Sequence, residues 1–452
     1  MEPVCPLDYR YGRERMREVL SYRARVARCL EVEAALARAH ARVGNIPKEA
    51  ADEISRRANL DEVSIERVEE IEKSTRHDLM SIVNALTERC SGDAGKYVHL
   101  GATSYDIVDT ALALQFRGAL DIVEEDIISI MRTLARRALE NRDLIMVGRT
   151  HGQFAVPITL GLKLAVYIAE FGRHLERIRG CRSRVEVGKM SGAVGSGAAL
   201  GPLAFEIEGL VMDDLGLGRE EGPTQIVQRD RMFEMFCHIA NITITVEKIA
   251  TEIRTLQRPE IGELSEPFDE GKQVGSSTMS HKRNPILCEN ITGLARTTRG
   301  FLLPAMQNGV QWNERDLSNS SSERFIIPHM FMLLDECLSK LNWVLSGMVV
   351  DRDRIGENLG RAGGLVMAES VMMALVAKGM GRQEAHEVTR KAAMLAYKGT
   401  GYYDALISMP EVDSLLNERE LRASLDPSNY VGISRERVDR ILESHRHIIG
   451  GS

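Results

Sequence analysis

Apolar residues in this chain recur mainly at three- and four-residue steps, and the longest run of that rhythm sets the architecture. Between Ile107 and Leu139 they fall at Ile107 and Val108, Ala111 and Leu112, Phe116, Ala119 and Leu120, Val123, Ile127, Ile130 and Met131, Leu134 and Ala138. That spacing predicts one amphipathic helix of about nine turns, far longer than the usual globular helix. No proline occurs between Pro47 and Pro157, so nothing obliges the chain to break there. The same period returns over about 159–184, 228–256, 285–306 and 324–348. Five such helices imply a central bundle. Their length implies apolar surface beyond that bundle, and hence association of identical chains.

The first ~95 residues differ. They show shorter amphipathic segments near 16–43, 48–58 and 64–72, separated by turns such as Gly44-Asn45-Ile46-Pro47. Beyond 346–351 come helical patterns near 364–378, 382–396 and 435–447. Extended pieces are expected only near 144–148 and 184–194. The expectation is an all-α fold in three helical domains, 1–96, 97–346 and 347–452. The middle one is the long-helix bundle.

Composition narrows the classes of function. With 452 residues, 44% hydrophobic and 27% charged, the chain has an ordinary globular balance. A net charge of −7 gives no electrostatic case for nucleic acid as a partner. The seven cysteines, at 5, 29, 90, 181, 237, 288 and 337, are scattered, odd in number and without a C-x-x-C pair. That pattern argues against a disulfide framework or zinc site and for reduced thiols in a cytoplasmic protein. The charged N-terminal stretch has no apolar core segment, and no window approaches the roughly 20 apolar residues of a membrane span. A membrane partner is not expected.

The candidate chemistry concentrates in Gly275–Pro285, GSSTMSHKRNP, whose only large apolar side chain is Met279. Such a polar stretch could not satisfy its own groups in a core. It is expected to be a loop that ends at a helix start marked by Asn284-Pro285. Ser276 and Ser277 are candidate proton-transfer groups, and Lys282 and Asn284 suit a carboxylate. His151 lies in Gly148-Arg149-Thr150-His151-Gly152, a turn before a long helix. It is either a hydrogen-bonded turn residue or a general acid/base. His99-Leu100-Gly101-Ala102-Thr103-Ser104 leads into the 107–139 stripe. Thr103 and Ser104 are natural N-cap residues there, and a helix N-terminus with free hydroxyls also suits an anion. His77 follows Arg76 and precedes Asp78, and could cap a helix or meet a phosphate. Arg315, Ser320 and Arg324 lie in a polar stretch that is either a solvated loop with a serine cap or a phosphate grip. Thr224-Gln225 offers an amide before the fourth helix. The glycine-rich 192–201 run has Leu200 where a dinucleotide fingerprint needs its third glycine, and no strand–turn–helix context. A tight loop is expected there, with no nucleotide cofactor. No histidine–carboxylate spacing suggests a metal.

Taken together, these segments resemble the fumarate lyase (aspartase/fumarase) superfamily. The loop matches its G-S-S-x-M-x-x-K-x-N-P pattern at all seven fixed positions. Arg10-Tyr11, Thr75-Arg76-His77-Asp78, the His99–Ser104 segment with Asp109-Thr110, the His151 turn, Thr224-Gln225, Glu289-Asn290 and Ser320–Arg324 extend the likeness over nearly the whole chain. Ser280 stands where the superfamily usually has proline, and Asn319 where many members have histidine. The resemblance implies β-elimination of fumarate from a succinylated purine nucleotide or its ribotide precursor, without a cofactor or metal. It implies Ser276 as base, His151 as acid positioned by Glu289, and Lys282 as stabiliser of the deprotonated serine. Thr103, Ser104, Ser277, Lys282, Asn284 and Gln225 would hold the succinyl end. Arg10, Tyr11, Arg76, His77, Asp78, Arg315, Ser320 and Arg324 would hold the nucleotide. His99 and Arg283 belong to the same implied substrate set. It also implies a homotetramer whose sites draw on three subunits. The carboxymuconate cycloisomerase branch shares the HKRNP loop and the GATS segment but usually lacks the counterpart of His151. A non-catalytic helical scaffold is a third reading.

Overall fold

The computed structural model describes residues 4–268, 278–279 and 281–450. Helix accounts for 69% of the chain, so the expected all-α class holds. Among the described residues, strands form only three two-stranded pairs. The five long helices are Ser104–Glu140, Leu160–Val185, Asp230–Leu256, Ile286–Gly300 and Ser318–Gly347. The stripe on the first is buried as its period requires, from Ile107 and Ala111 through Val123, Ile127 and Met131 to Leu134 and Ala138.

The departures have local causes. The 16–43 pattern splits into Glu14–Leu20 and Tyr22–Arg42. Ser21 turns extended there, and its hydroxyl accepts from the Ala24 amide at 3.1 Å, capping the second helix. The 285–306 stripe breaks at Phe301, after which Leu302–Gln307 restarts with Pro304 in its first turn. The last long helix begins at Ser318, six residues earlier than its apolar stripe, because the serine-rich stretch forms its opening turns. Pro328 sits inside that helix and removes the amide that would bond the Arg324 carbonyl.

The chain divides into two compact units. One comprises 1–127, 174–244 and 293–339, the other 128–173, 245–292 and 340–452. Every boundary falls inside one of the five long helices. In the first unit the N-terminal helices share a core with the opening turns of Ser104–Glu140 and with Ala204–Leu215, through Val26, Leu30, Ile54, Leu86, Ile107 and Val211. In the second, Val371, Leu375, Ala385, Ala392 and Leu406 form a C-terminal core. Val147, in the strand Ile145–Thr150, packs with Ala362, Val366 and Met367.

Candidate active site

In the first unit a polar cleft of about 530 Å³ gathers Arg76, His77, Asp78, Thr103, Ser104, Gln225, Arg315, Ser320 and Arg324. Nine of the sequence candidates therefore meet in one place, from four separate stretches of chain. Local backbone explains how. Arg76 ends the Ile65–Thr75 helix in the left-handed conformation, with φ 54°. His77 then caps the next helix, its Nδ1 accepting from the Met80 amide at 3.3 Å. Asp78 follows in the first turn and accepts from the Leu79 amide at 2.8 Å. It also accepts from Arg25 at 2.9 Å and from Arg324 at 3.1 Å. Burial pushes the Asp78 carboxyl up, but Arg25, the amide and Arg324 together hold it below the usual carboxylate range.

Arg315 is the most telling side chain. Its guanidinium lies 3.5 Å from the centroid of the Tyr105 ring, a stacked cation–π contact. One nitrogen donates to Gln225 Oε1 at 2.9 Å. Its Nε and Nη2 are buried with no hydrogen-bond partner among the described residues. Two buried, unpaired N–H groups in a fixed planar fork are what an oxyanion would satisfy. Gln225 is itself fixed, its Nε2 donating to the Ala193 carbonyl at 3.2 Å.

Two buried charge clusters hold these parts. Asp106, fully buried, takes the ammonium of fully buried Lys189. It also accepts from the amides of Thr103 at 2.8 Å, Ser191 at 2.9 Å and Gly192 at 3.0 Å. One carboxylate thus joins the Thr103-Ser104 helix start to the glycine-rich loop. That run is the expected tight loop: Gly195 has φ 83°, and a Cβ there would lie 2.2 Å from the Pro223 carbonyl oxygen. In the second cluster, buried Arg229 bonds Asp109 and Glu323 with both edges of its fork. It fixes the segment after Gln225 against the Ser320–Arg324 turn. Asn319 donates to Glu323 at 3.0 Å, while its own Oδ1 is buried without a partner among the described residues.

His99 lies outside the cleft lining. Its backbone is left-handed, with φ 63°, and its Nδ1 meets buried Glu33 at 2.6 Å. Burial pulls the His99 pKa down, yet the Glu33 hydrogen bond and charge outweigh it and raise the pKa above the ordinary value. Arg10, exposed, and Tyr11 follow the one-turn Pro6–Tyr9 helix and also lie outside the cleft lining.

The remaining candidates are in the second unit. Strands Ile145–Thr150 and Gln153–Thr159 form a hairpin, with Thr150 paired to Gln153. His151 and Gly152 are its two-residue loop, with φ 54° and 72°. Positive φ at both positions is the geometry of a type I′ turn. The imidazole is therefore carried at an exposed tip. Lys282, Arg283, Asn284 and Glu289 line a second cavity, of about 1010 Å³, together with His281, Arg254 and Glu266. Asn284-Pro285 does start a helix, at Ile286, and Glu266 caps it by accepting from the Leu287 amide at 3.2 Å and from the Cys288 amide at 2.5 Å. The structure records no hydrogen bond or ion pair between His151 and Glu289, so the expected pair is not made within one chain. Ser276, Ser277 and Ser280 lie outside the described residues.

Tyr105, Glu33, Lys189 and Arg229 have no signal in the sequence pattern. Asp109 and Glu323 fall inside the Asp109-Thr110 and Ser320–Arg324 motifs, but nothing there marks them as partners of a buried cation.

Comparison with known proteins decides what this arrangement belongs to. The lyase family matches residues 8–300, and the adenylosuccinate lyase C-terminal family matches residues 364–441. An adenylosuccinate lyase of Pyrococcus horikoshii is 50% identical over 441 residues, 97% of both chains. The chain belongs to the adenylosuccinate lyase family. Its fold is shared more widely within the fumarate lyases. A fumarate lyase structure from Mesorhizobium sp. BNC1 superposes with a TM-score of 0.89 at 34% identity, covering 98% of this chain and 100% of that one. A 3-carboxy-cis,cis-muconate lactonizing enzyme from Pseudomonas putida gives 0.88 at 33% identity, covering 98% and 99%. Fold alone therefore does not separate adenylosuccinate lyases from the cycloisomerases; the residue-level match over the full chain does.

Proposed function

We propose that this chain eliminates fumarate from adenylosuccinate, giving AMP, and from succinyl-aminoimidazole carboxamide ribotide, giving aminoimidazole carboxamide ribotide. The observation that carries the reading is 50% identity to a curated adenylosuccinate lyase over 97% of the chain. Arg315, with two buried unpaired donors in a cleft that also holds Arg76 and Arg324, supports an anionic nucleotide as ligand.

In the proposed mechanism a base removes a proton from the succinyl carbon beside a carboxylate. The C–N bond breaks, its electron pair goes to nitrogen, and an acid protonates that nitrogen. Ser276 is the base. A serine hydroxyl serves only if its alkoxide is stabilised, which is the role given to Lys282. His151 is the acid, oriented by Glu289. Thr103, Ser104, Ser277, Asn284 and Gln225 hold the succinyl carboxylates. Arg10, Tyr11, Arg76, His77, Asp78, Arg315, Ser320 and Arg324 hold the nucleotide.

His151 stands exposed on a hairpin tip, and Glu289 is exposed without it. We assign their meeting to neighbouring subunits of a homotetramer, with the 97–346 long-helix domain as its core between the 1–96 and 347–452 domains. The test is to incubate the protein with adenylosuccinate and follow fumarate by NMR, beside Ser276→Ala and His151→Ala. Absence of fumarate from the wild type would overturn the function, and full activity in Ser276→Ala would overturn the base. A muconate-type cycloisomerase, favoured by the shared fold and the shared loop motif, predicts that Arg324→Ala turns over normally.

A further inference from the structure

The segment bearing Arg10 and Tyr11 has little core of its own. Its helix is a single turn, Pro6–Tyr9, and among the described residues before Met16 only Leu7 has a buried apolar side chain. It is nonetheless fastened at several points. The Arg17 guanidinium closes it into a loop, donating to the carbonyls of Leu7, Tyr11 and Gly12, the last two at 2.5 and 3.1 Å. Arg13 then ties that loop down. Its Nε donates to Asp335 at 3.0 Å, and its Nη2 bridges Asp335 and Asp126. The Gly12 amide donates to Glu336 at 3.0 Å. The approach is close: Gly12 has φ 93°, and a Cβ there would come within 2.1 Å of Met332.

Asp335 is fully buried and Asp126 nearly so, and they converge on one guanidinium. Two carboxylates facing each other repel unless a cation lies between them. The two long helices therefore present an acidic socket that only a planar, two-edged cation fills well. Arg13 lies three residues from Arg10, so its placement constrains where the Arg10 side chain can point.

We propose that Arg13 is a positioning residue: by occupying the Asp126–Asp335 socket it holds the Arg17-closed loop so that Arg10 and Tyr11 are preorganised for the substrate's phosphate. The proposal rests on the assignment of Arg10 and Tyr11 to the nucleotide. Preorganisation of this kind acts on binding, because an unfastened loop must be ordered each time substrate binds.

The test compares Arg13→Ala, Arg13→Lys and Arg10→Ala in the full chain, by steady-state kinetics with adenylosuccinate and by hydrogen exchange of residues 5–12. Arg13→Ala raises KM about tenfold or more, a factor worth 1.4 kcal/mol, while kcat stays within about threefold. The 5–12 amides lose protection. Arg13→Lys recovers part of both, since an ammonium fills the socket without its bidentate geometry. A fault of folding alone would lower the active fraction and leave KM unmoved. If Arg13→Ala does not fold, Arg13→Gln, which keeps most of the stem, is measured instead. Wild-type KM in the Arg13 variant beside a raised KM in Arg10→Ala overturns the positioning role and leaves the site reading standing. Unchanged protection at 5–12 also overturns it. Unchanged KM in Arg10→Ala overturns the phosphate assignment itself, and this inference with it.

Discussion

Replacing Asp106 with asparagine tests how the cleft is held. Asp106 and Lys189 are both fully buried, and among the described residues the carboxylate's hydrogen-bond partners are all donors: the Lys189 ammonium and the amides of Thr103, Ser191 and Gly192. Asn keeps the shape but turns one acceptor into an NH2 that must face a donor. It also strands the ammonium. Breaking a buried ion pair on one side costs about 3–5 kcal/mol. An independent route gives a similar figure. The stranded lysine can escape by losing its proton, and forcing a group of ordinary pKa about 10.4 to be neutral at pH 7 costs about 4.6 kcal/mol at 1.36 kcal/mol per unit. The cost of that discharge shrinks as pH rises towards the ordinary lysine value, and the penalty shrinks with it. Adding Lys189→Met to Asp106→Asn removes the stranded charge, so the double variant is more stable than Asp106→Asn alone. The assay is urea unfolding followed by circular dichroism at pH 7 and pH 9, at fixed protein concentration. A loss below about 1 kcal/mol in Asp106→Asn, a loss that does not change with pH, or additive losses in the double variant would refute the reasoning.

Arg229→Met leaves Asp109 and Glu323 buried without their cation and should cost at least about 4 kcal/mol, read as a large drop in thermal midpoint. Glu33→Gln should lower the His99 pKa seen by NMR. Because Glu33 raises that pKa, the stability it supplies is complete below the ordinary histidine value of about 6.5 and is lost as pH rises through the raised one. Burial and the charge of Asp335 push the Asp126 carboxyl up to about 7 despite Arg13. Its stabilising contribution is therefore complete below about 3.9 and lost as pH rises to about 7, so Asp126→Asn should flatten the stability profile over that window. Gly152→Ala should cost about 1 kcal/mol by calorimetry, since a Cβ there meets nothing within 4 Å among the described residues and the left-handed backbone alone resists it.

The long helices were legible because a period sustained from Ile107 to Ala138 leaves little room for another structure. The cleft was legible as residue types in polar, glycine-flanked places, and nine of those candidates meet. The break at Ser21 was hidden because one hydroxyl cap decides it while the apolar period continues across it. The opening of the last helix at Ser318 was hidden for the opposite reason. Its serines carry no apolar signal, and their helix is set by what Glu323 and Arg324 bind. Lys189, Asp106 and Arg229 could not be found by pattern at all. A charged residue in a core looks like any surface charge until the chain folds its partner against it, and Lys189 lies 83 positions from Asp106.

The turn that carries His151 has a consequence for how this position can change over generations. A left-handed, non-glycine residue is tolerated best as asparagine or aspartate. Both are one base change from a histidine codon. Neither keeps an imidazole, so drift at this site meets almost no resistance from folding and full resistance from chemistry. A relative with Asn or Asp at this tip and the hairpin otherwise intact would be the signature of a chain that kept the architecture after giving up the reaction.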